Sequence, residues 1–143
     1  MQPVNQGLEE SLFNYLVHSI EQTPYYQLLG IKIRLLGPGV ADLEVEVSGQ
    51  HINPLGAVHG GLYMSLVDAA MGNAIRSLGI KAVTVDCTTS MISGASIGEV
   101  IKARGTLEKV GKNLIFASAQ VTAGEKILAS SRGTFYRVGV IDY

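Results

Sequence analysis

The stretch between Glu46 and Arg76 holds a single formally charged side chain, Asp68, in an otherwise largely apolar run. Apolar residues recur at helical spacing from about Val58 to Leu78, and Gly79 then ends the pattern. Burying a carboxylate in such a helix costs several kcal/mol unless something is gained. We therefore expect one long helix in the core, with Asp68 placed near its middle as a candidate catalytic acid.

Composition excludes several classes of protein. The 143 residues are 47% hydrophobic and 16% charged, which is too apolar for a disordered chain and suits one domain. A net charge of −1 without a basic stripe argues against nucleic acid as a partner. The excess of apolar residues indicates an interface between subunits.

The cellular compartment is predicted from the single cysteine and from the N-terminus. Cys87 alone rules out an internal disulfide or a site with several cysteine ligands, and its apolar strand pattern predicts a buried structural thiol. The first residues lack the basic start and apolar core of a signal peptide. Gly56 to Ile75 is long enough to span a membrane, but Asp68 at its centre makes it a poor span. We expect a cytoplasmic protein that does not bind membranes.

Hydrophobic periodicity assigns the remaining elements. An amphipathic helix is predicted from Leu8, with a break near Thr23-Pro24 and a short second turn that reaches Leu29. Glycine-rich turns separate the predicted strands, as at Gly111-Lys112-Asn113. The predicted strands are Ile31–Leu36, Val40–Val47, Ala82–Ser93, Glu99–Val110, Leu114–Ala123 and Ile127–Val138.

This order of elements predicts the fold class. Short turns between consecutive strands indicate an antiparallel sheet, and one long apolar helix is available to cover it. The fold is therefore α+β, with the sheet wrapped around a central helix. We divide the chain into an N-terminal helical extension, residues 1–29, and a single domain, residues 30–143. Because the sheet edges and its far face need a partner, we expect a dimer or a larger oligomer.

The segment that precedes the long helix carries a specific motif. It reads His51-x-Asn53-Pro-x-Gly56-x-Val58-His59-Gly60-Gly61, and Asp68 follows the double glycine by seven residues. This motif, together with the order of elements from Ile31 to Val138, resembles the hotdog-fold acyl-CoA thioesterases of the phenylacetate (PaaI-like) group.

The resemblance implies hydrolysis of acyl-CoA to a free acid and CoA, with neither a metal nor another cofactor. Asp68 would act as general base or nucleophile, and the Gly60 N–H would polarise the thioester carbonyl. Asn53 would hold the carbonyl or the water, and Thr84 would position the water, with Asp86 as a competitor for that place. The site is shared in this group, so Asp68 would face Asn53 and Gly60 of a partner chain, in a dimer that forms part of a tetramer.

General chemistry supports these roles independently. Negative charge develops on the carbonyl oxygen, and an amide at a helix N-terminus is aimed outward with the helix dipole behind it. Gly60 and Gly61 have no Cβ to obstruct a substrate, although they could instead serve tight packing. Asp68 has a structural alternative as well, a hydrogen bond to a threonine or a backbone N–H. His59 is a further catalytic candidate, with two roles open: it could transfer protons, or it could rigidify the Asn53 loop by hydrogen bonds, which is the interpretation we favour.

Substrate-binding candidates lie in two places. By the resemblance, basic residues of the hairpin that holds Lys109 and Lys112 lie near the CoA phosphates, and Arg104 is on the preceding strand. The alternative for these three is a solvated charge. The candidates for the wall of an apolar acyl pocket, each of which could equally fill the core, are Leu62, Tyr63 and Met64.

The sequence argues against a metal-dependent enzyme and against a serine hydrolase. The chain has no His-x-x-x-His or Cys-x-x-Cys pair for a metal, and Ser65 does not lie in a Gly-x-Ser-x-Gly elbow. Two alternatives stay open, a non-catalytic acyl-CoA-binding or sensor protein and a hydratase or dehydratase. The second uses a histidine with an acid, and the combination of Asn53 with Asp68 argues against it.

Overall fold

A computed structural model describes residues 1–143 as three α-helices, a short 3₁₀ turn and seven strands. In chain order these are β1 (Val4–Asn5), α1 (Glu10–Glu21), α2 (Pro24–Leu29), β2 (Lys32–Gly37), β3 (Val40–Glu46), the 3₁₀ turn Gly49–His51, α3 (Gly60–Arg76), β4 (Ile80–Met91), β5 (Val100–Val110), β6 (Leu114–Ala123) and β7 (Lys126–Val140). None of the helices combines the length and the apolar character that crossing a bilayer requires.

All seven strands form one sheet, in the order β1-β2-β3-β5-β6-β7-β4. Every pairing is antiparallel except the short parallel contact of β1 with β2. The meander expected from the short turns holds for β5, β6 and β7. However, β4 pairs with β7 rather than with β5, so it lies at the edge of the sheet with one side unpaired.

The central helix α3 packs against the sheet, with buried residues along its length. The distance between α3 and the sheet is set at Gly105 on β5. A Cβ at this position would overlap the carbonyl group of Ala70 and stand 2.7 Å from the amide nitrogen of Met71. A second glycine of the sheet, Gly133, makes room for the side chain of Met71, whose Cε would lie 3.0 Å from a Cβ there. These close approaches fix the position of α3, and therefore that of Asp68.

The N-terminal helices share the core of the domain. Leu12, Leu16 and Ile20 recur at four-residue spacing on α1, and all three are buried in the same hydrophobic cluster as α3 and the sheet. The predicted break is confirmed, since α2 begins at Pro24. The predicted extension, residues 1–29, is therefore packed onto the fold, while its boundary with the domain stays a prediction.

Three details of the structure differ from what the sequence indicates. The short strand β1 was not expected. Cys87 is half-buried rather than buried, because β4 is an edge strand with one neighbour in the sheet. On β3, the apolar residues alternate with Asp42, Glu44 and Glu46, a pattern that predicts an exposed Asp42, but this residue is only 3% exposed. Its carboxylate is compensated by Arg104 on the neighbouring strand, whose Nε and Nη2 donate to the two oxygens at 2.7 Å each.

Candidate active site

The loop that leads into α3 is held by the side chain of Asn53. Its Oδ1 accepts hydrogen bonds from the backbone N–H groups of Leu55, at 2.9 Å, and of Ala57, at 3.1 Å. Because two N–H donors fix that oxygen, the orientation of the amide is determined. The Nδ2 group has no acceptor within the chain and can donate to a substrate oxygen.

Two histidines anchor the same loop. The buried ring of His51 accepts at Nδ1 from the N–H of Ser48, at 3.0 Å, so Nε2 carries the proton and donates to the carbonyl of Leu29 at 2.8 Å. His59 caps α3, with Nδ1 accepting from the N–H of Gly61 at 2.8 Å. The arrangement supports the loop-rigidifying interpretation of His59.

The two residues of the double glycine, Gly60 and Gly61, have different roles. A Cβ on Gly61 would stand 3.0 Å from Nδ1 of His59, so glycine at that position allows the cap to form. At Gly60 a Cβ would meet only the flexible end of Met91, whose Cε would lie 3.3 Å away. Gly60 is the first residue of α3 and no side chain caps its N–H, which is therefore available at the positive end of the helix dipole.

Asp68 points into a cavity of about 300 Å³ that Thr84 also lines. Oγ1 of Thr84 donates to Oδ1 of Asp68 at 2.7 Å, and Oδ2 has no hydrogen-bonding partner in the chain. The side chain of Asp68 is half-buried in the single chain. Asp86 does not contact it. A bulge at Val85 separates Thr84 from Asp86, which lines a different cavity beside Lys109.

Of the cavity residues that were not expected from the sequence, three bear on the chemistry beside Asp68. They are Tyr26, Asn73 and Arg76, and Nδ2 of Asn73 donates to the Tyr26 hydroxyl at 3.3 Å. Burial, and to a smaller extent the negative charge of Asp68, raise the pKa of Tyr26 above its usual value. The sequence could have indicated Arg76 as a neighbour of Asp68, because it follows Asp68 by eight residues and therefore lies on the same face of the helix. Tyr26 gives no such signal, because the packing of α2 is a tertiary contact.

Comparison with known proteins identifies the family of this chain. Residues 55–130, more than half of the chain, match the family described as Thioesterase superfamily. The chain belongs to the thioesterase superfamily. It is 35% identical over 134 residues to the human protein named acyl-coenzyme A thioesterase 13, covering 90% of this chain and 95% of that one. It is 30% identical over 112 residues to acyl-coenzyme A thioesterase PaaI of Escherichia coli, covering 78% and 80%.

Solved structures agree with this family assignment. The E. coli PaaI structure matches this thioesterase with a TM-score of 0.87 at 25% identity, over 95% of this chain and 100% of that one. A Streptococcus pneumoniae thioesterase solved with coenzyme A gives 0.75 over 78% and 91%, at 20% identity, which shows the fold alone. The hotdog fold and the resemblance to PaaI-like proteins are confirmed, and the protein is a thioester hydrolase.

The side chains of Leu62, Tyr63 and Met64 could either line an acyl pocket or fill the core, and their burial distinguishes the two roles. Leu62 and Tyr63 of the thioesterase are 4% and 3% exposed and belong to its core, and the Tyr63 hydroxyl donates to the carbonyl of Ser93 at 3.2 Å. Met64 is 46% exposed on the first turn of α3. In the single chain Leu62 and Tyr63 therefore fill the core, whereas Met64 is free to contact another molecule.

The basic candidates of the thioesterase also differ from one another. Lys109 and Lys112 are exposed, and neither takes part in an ion pair. Arg104 is engaged with the buried Asp42, which occupies two of its nitrogens. The two lysines are therefore free to pair with an anion, whereas Arg104 is already paired. No group of three or more His, Cys, Asp or Glu side chains is arranged to hold a metal ion.

Proposed function

We propose that this thioesterase hydrolyses aryl- or short- to medium-chain acyl-CoA to a free acid and CoA, at a site shared by two copies of the chain. The observation that carries the proposal is the carboxylate of Asp68, which faces a cavity with one oxygen held by Thr84 and the other free. The printed names of the human and E. coli relatives, both acyl-CoA thioesterases, support the substrate class.

Asp68 is suited to act on a thioester in either of two ways. As general base, its free oxygen takes a proton from water while the water oxygen forms a bond to the carbonyl carbon. As nucleophile, the same oxygen attacks that carbon and water later hydrolyses the anhydride. In both cases the carbon–sulfur bond breaks and CoA leaves as a thiolate that is then protonated. Thr84 holds the carboxylate in one orientation for either route.

One chain cannot supply both the carboxylate and the helix-terminal amide to one substrate. Gly60 and Asp68 are eight residues apart on α3, which corresponds to about 12 Å along the helix axis. A carbonyl within reach of the Asp68 carboxylate is therefore out of reach of the Gly60 N–H of the same chain. We infer that the amide comes from a second copy, along with Nδ2 of Asn53.

The edge strand β4 is the surface on which this second copy would dock. It is 12 residues long, pairs with β7 on one side, and exposes Val83 and Val85 at 53% and 58%. Such an apolar, unpaired edge favours pairing with another strand. Because Thr84 lies on β4 beside Asp68, a copy docked there would bring its own residues next to the carboxylate.

The substrate contributes CoA, and no further cofactor is part of the proposal. Lys109 and Lys112 are proposed to pair with its phosphates, since both are unpaired cations near one hairpin. The S. pneumoniae structure of the same fold was solved with coenzyme A, which supports this part of the proposal. Gly61 and the exposed Met64 are proposed to lie along the acyl portion, with the core side chains Leu62 and Tyr63 behind them.

The substrate class is tested by thiol release from the purified chain. We expect release of CoA from at least one of phenylacetyl-, benzoyl-, butyryl- and hexanoyl-CoA, because the site needs only an activated thioester. The matched control is the pantetheine thioester of the best acyl group. It lacks the nucleotide phosphates, and its KM is expected to be at least about tenfold higher because charge-assisted hydrogen bonds are lost. Absence of thiol release from the whole panel would contradict the proposal.

A further inference from the structure

A second charged group borders the cavity beside Asp68, the guanidinium of Arg76. Asp68, Gly72 and Arg76 follow one another at four-residue spacing, so they lie along one face of α3. Gly72 contributes no side chain, and apart from its chain neighbours and the backbone of α3 itself, no atom lies within 4 Å of the place where its Cβ would be. The cavity therefore extends along the helix from the carboxylate towards the guanidinium.

Arg76 has no carboxylate partner. Its Nη1 donates to Oδ1 of Asn73 at 2.9 Å and its Nη2 donates to Oγ of Ser19 at 2.7 Å, and both acceptors are neutral. The ion pairs of the structure involve other cations, namely Arg34, Lys102, Arg104 and Arg132. Burial lowers the pKa of Arg76 from its ordinary value, because the charged form loses hydration. A half-buried cation in this state is stabilised by a bound anion.

The other groups around the cavity are compatible with an anion at one end. Asp68 and Arg76 are its only charged lining residues. The Tyr26 hydroxyl lies near both of them and stays protonated, since burial raises its pKa, so it can donate a hydrogen bond. A negative group beside Arg76 pairs directly with the guanidinium, and this attraction offsets its repulsion from the more distant carboxylate of Asp68.

We propose, on the basis of the proposed acyl-CoA hydrolysis, that Arg76 binds a carboxylate at the far end of the acyl group. The preferred substrates are then ω-carboxyacyl-CoA thioesters. The Cα atoms of Asp68 and Arg76 are about 12 Å apart along α3, and the long arginine side chain leans back towards Asp68, so an acyl chain of at most about six carbons fits between the two charged groups. Gly72 keeps the path between the two ends open.

The test compares adipoyl-CoA with heptanoyl-CoA, a neutral thioester of similar length. We expect the wild type to show a kcat/KM for adipoyl-CoA at least about tenfold higher, and Arg76→Met to lower the ratio of the two values about 10- to 100-fold, as expected for lost charge-assisted hydrogen bonds. Arg34→Met is the matched control, since Arg34 pairs with Glu44 on the distant strands β2 and β3, and it should leave the ratio unchanged.

The outcomes separate this inference from the proposed function. Turnover of heptanoyl-CoA without a preference for adipoyl-CoA, or a ratio that Arg76→Met does not change, overturns the assignment of Arg76 alone. Failure to release thiol from these two thioesters and from the whole panel overturns both.

A second variant covers the case in which Arg76→Met does not fold. Gly72→Leu places a helix-favouring side chain in open space and should fold. It would obstruct the path of a long acyl group, so its ratio of kcat/KM for adipoyl-CoA over acetyl-CoA should fall about tenfold. An unchanged ratio would show that the acyl group does not pass Gly72 and would overturn the inference.

Discussion

Replacing Asp68 by asparagine is expected to lower kcat about 10²- to 10⁴-fold, the usual contribution of a positioned general base. The amide keeps the shape of the side chain and can still accept the hydrogen bond from Thr84, but it can neither take a proton from water nor attack a carbonyl. Because the carboxylate is half-buried and in no ion pair, the fold should be retained. The measurement is steady-state thiol release with the best thioester of the panel.

Two carboxylate variants accompany this measurement. Asp142→Asn makes the same chemical change at an exposed residue near the C-terminus and should leave kcat unchanged. Asp86→Asn tests the competitor on β4, which lines another cavity. Full turnover by Asp68→Asn, or a loss confined to Asp86→Asn, would show that Asp68 is not the base or nucleophile.

Gly60→Pro is expected to lower kcat about 10²- to 10³-fold, the typical loss when one oxyanion-hole donor is removed. Proline deletes the N–H that no side chain caps, and the first position of a helix is where proline is best tolerated. His59, which precedes it, has φ −66° and ψ 133°, a conformation that a residue before proline adopts readily. The substitution therefore removes one hydrogen-bond donor while α3 still forms.

Gly60→Ala is the matched control for this change. It adds a Cβ but keeps the N–H, and the side chain of Met91, whose Cε would lie 3.3 Å away, is flexible enough to move. Alanine should therefore retain most of the activity that proline removes. If the two variants lose activity equally, the loss arises from packing at this position and the N–H has no role in stabilising the oxyanion.

Local patterns predicted most of the fold. The periodicity around Asp68 located α3 to within two residues at each end, and the glycine-rich turns located β5, β6 and β7. The partner of β4 was not predictable, because pairing with β7 rather than β5 is a long-range contact that no short turn encodes. The burial of Asp42 was missed for the same reason, since its counter-ion Arg104 is 62 residues away in the sequence.

The candidate site was predictable where its residues are close in sequence. Asn53, Gly60 and Asp68 come from one loop and one helix, and Thr84 was reached across a short connection. What the sequence could not show is that Asn53 Oδ1 is engaged by its own loop, or that Tyr26 and Arg76 join Asp68 around a cavity. These features depend on how α2 packs on α3, which is decided by tertiary contacts.

The central claim, a site shared by two chains, is tested most directly by mixing two inactive variants. Subunits of Asp68→Asn and Gly60→Pro are co-expressed, and thiol release by the mixed protein is compared with that of each variant alone. In a shared site, each mixed dimer has one intact site and one doubly defective site. Random mixing is therefore expected to restore about a quarter of wild-type activity. Activity no higher than that of the two separate variants would contradict the shared site, because it would place the carboxylate and the amide in the same chain.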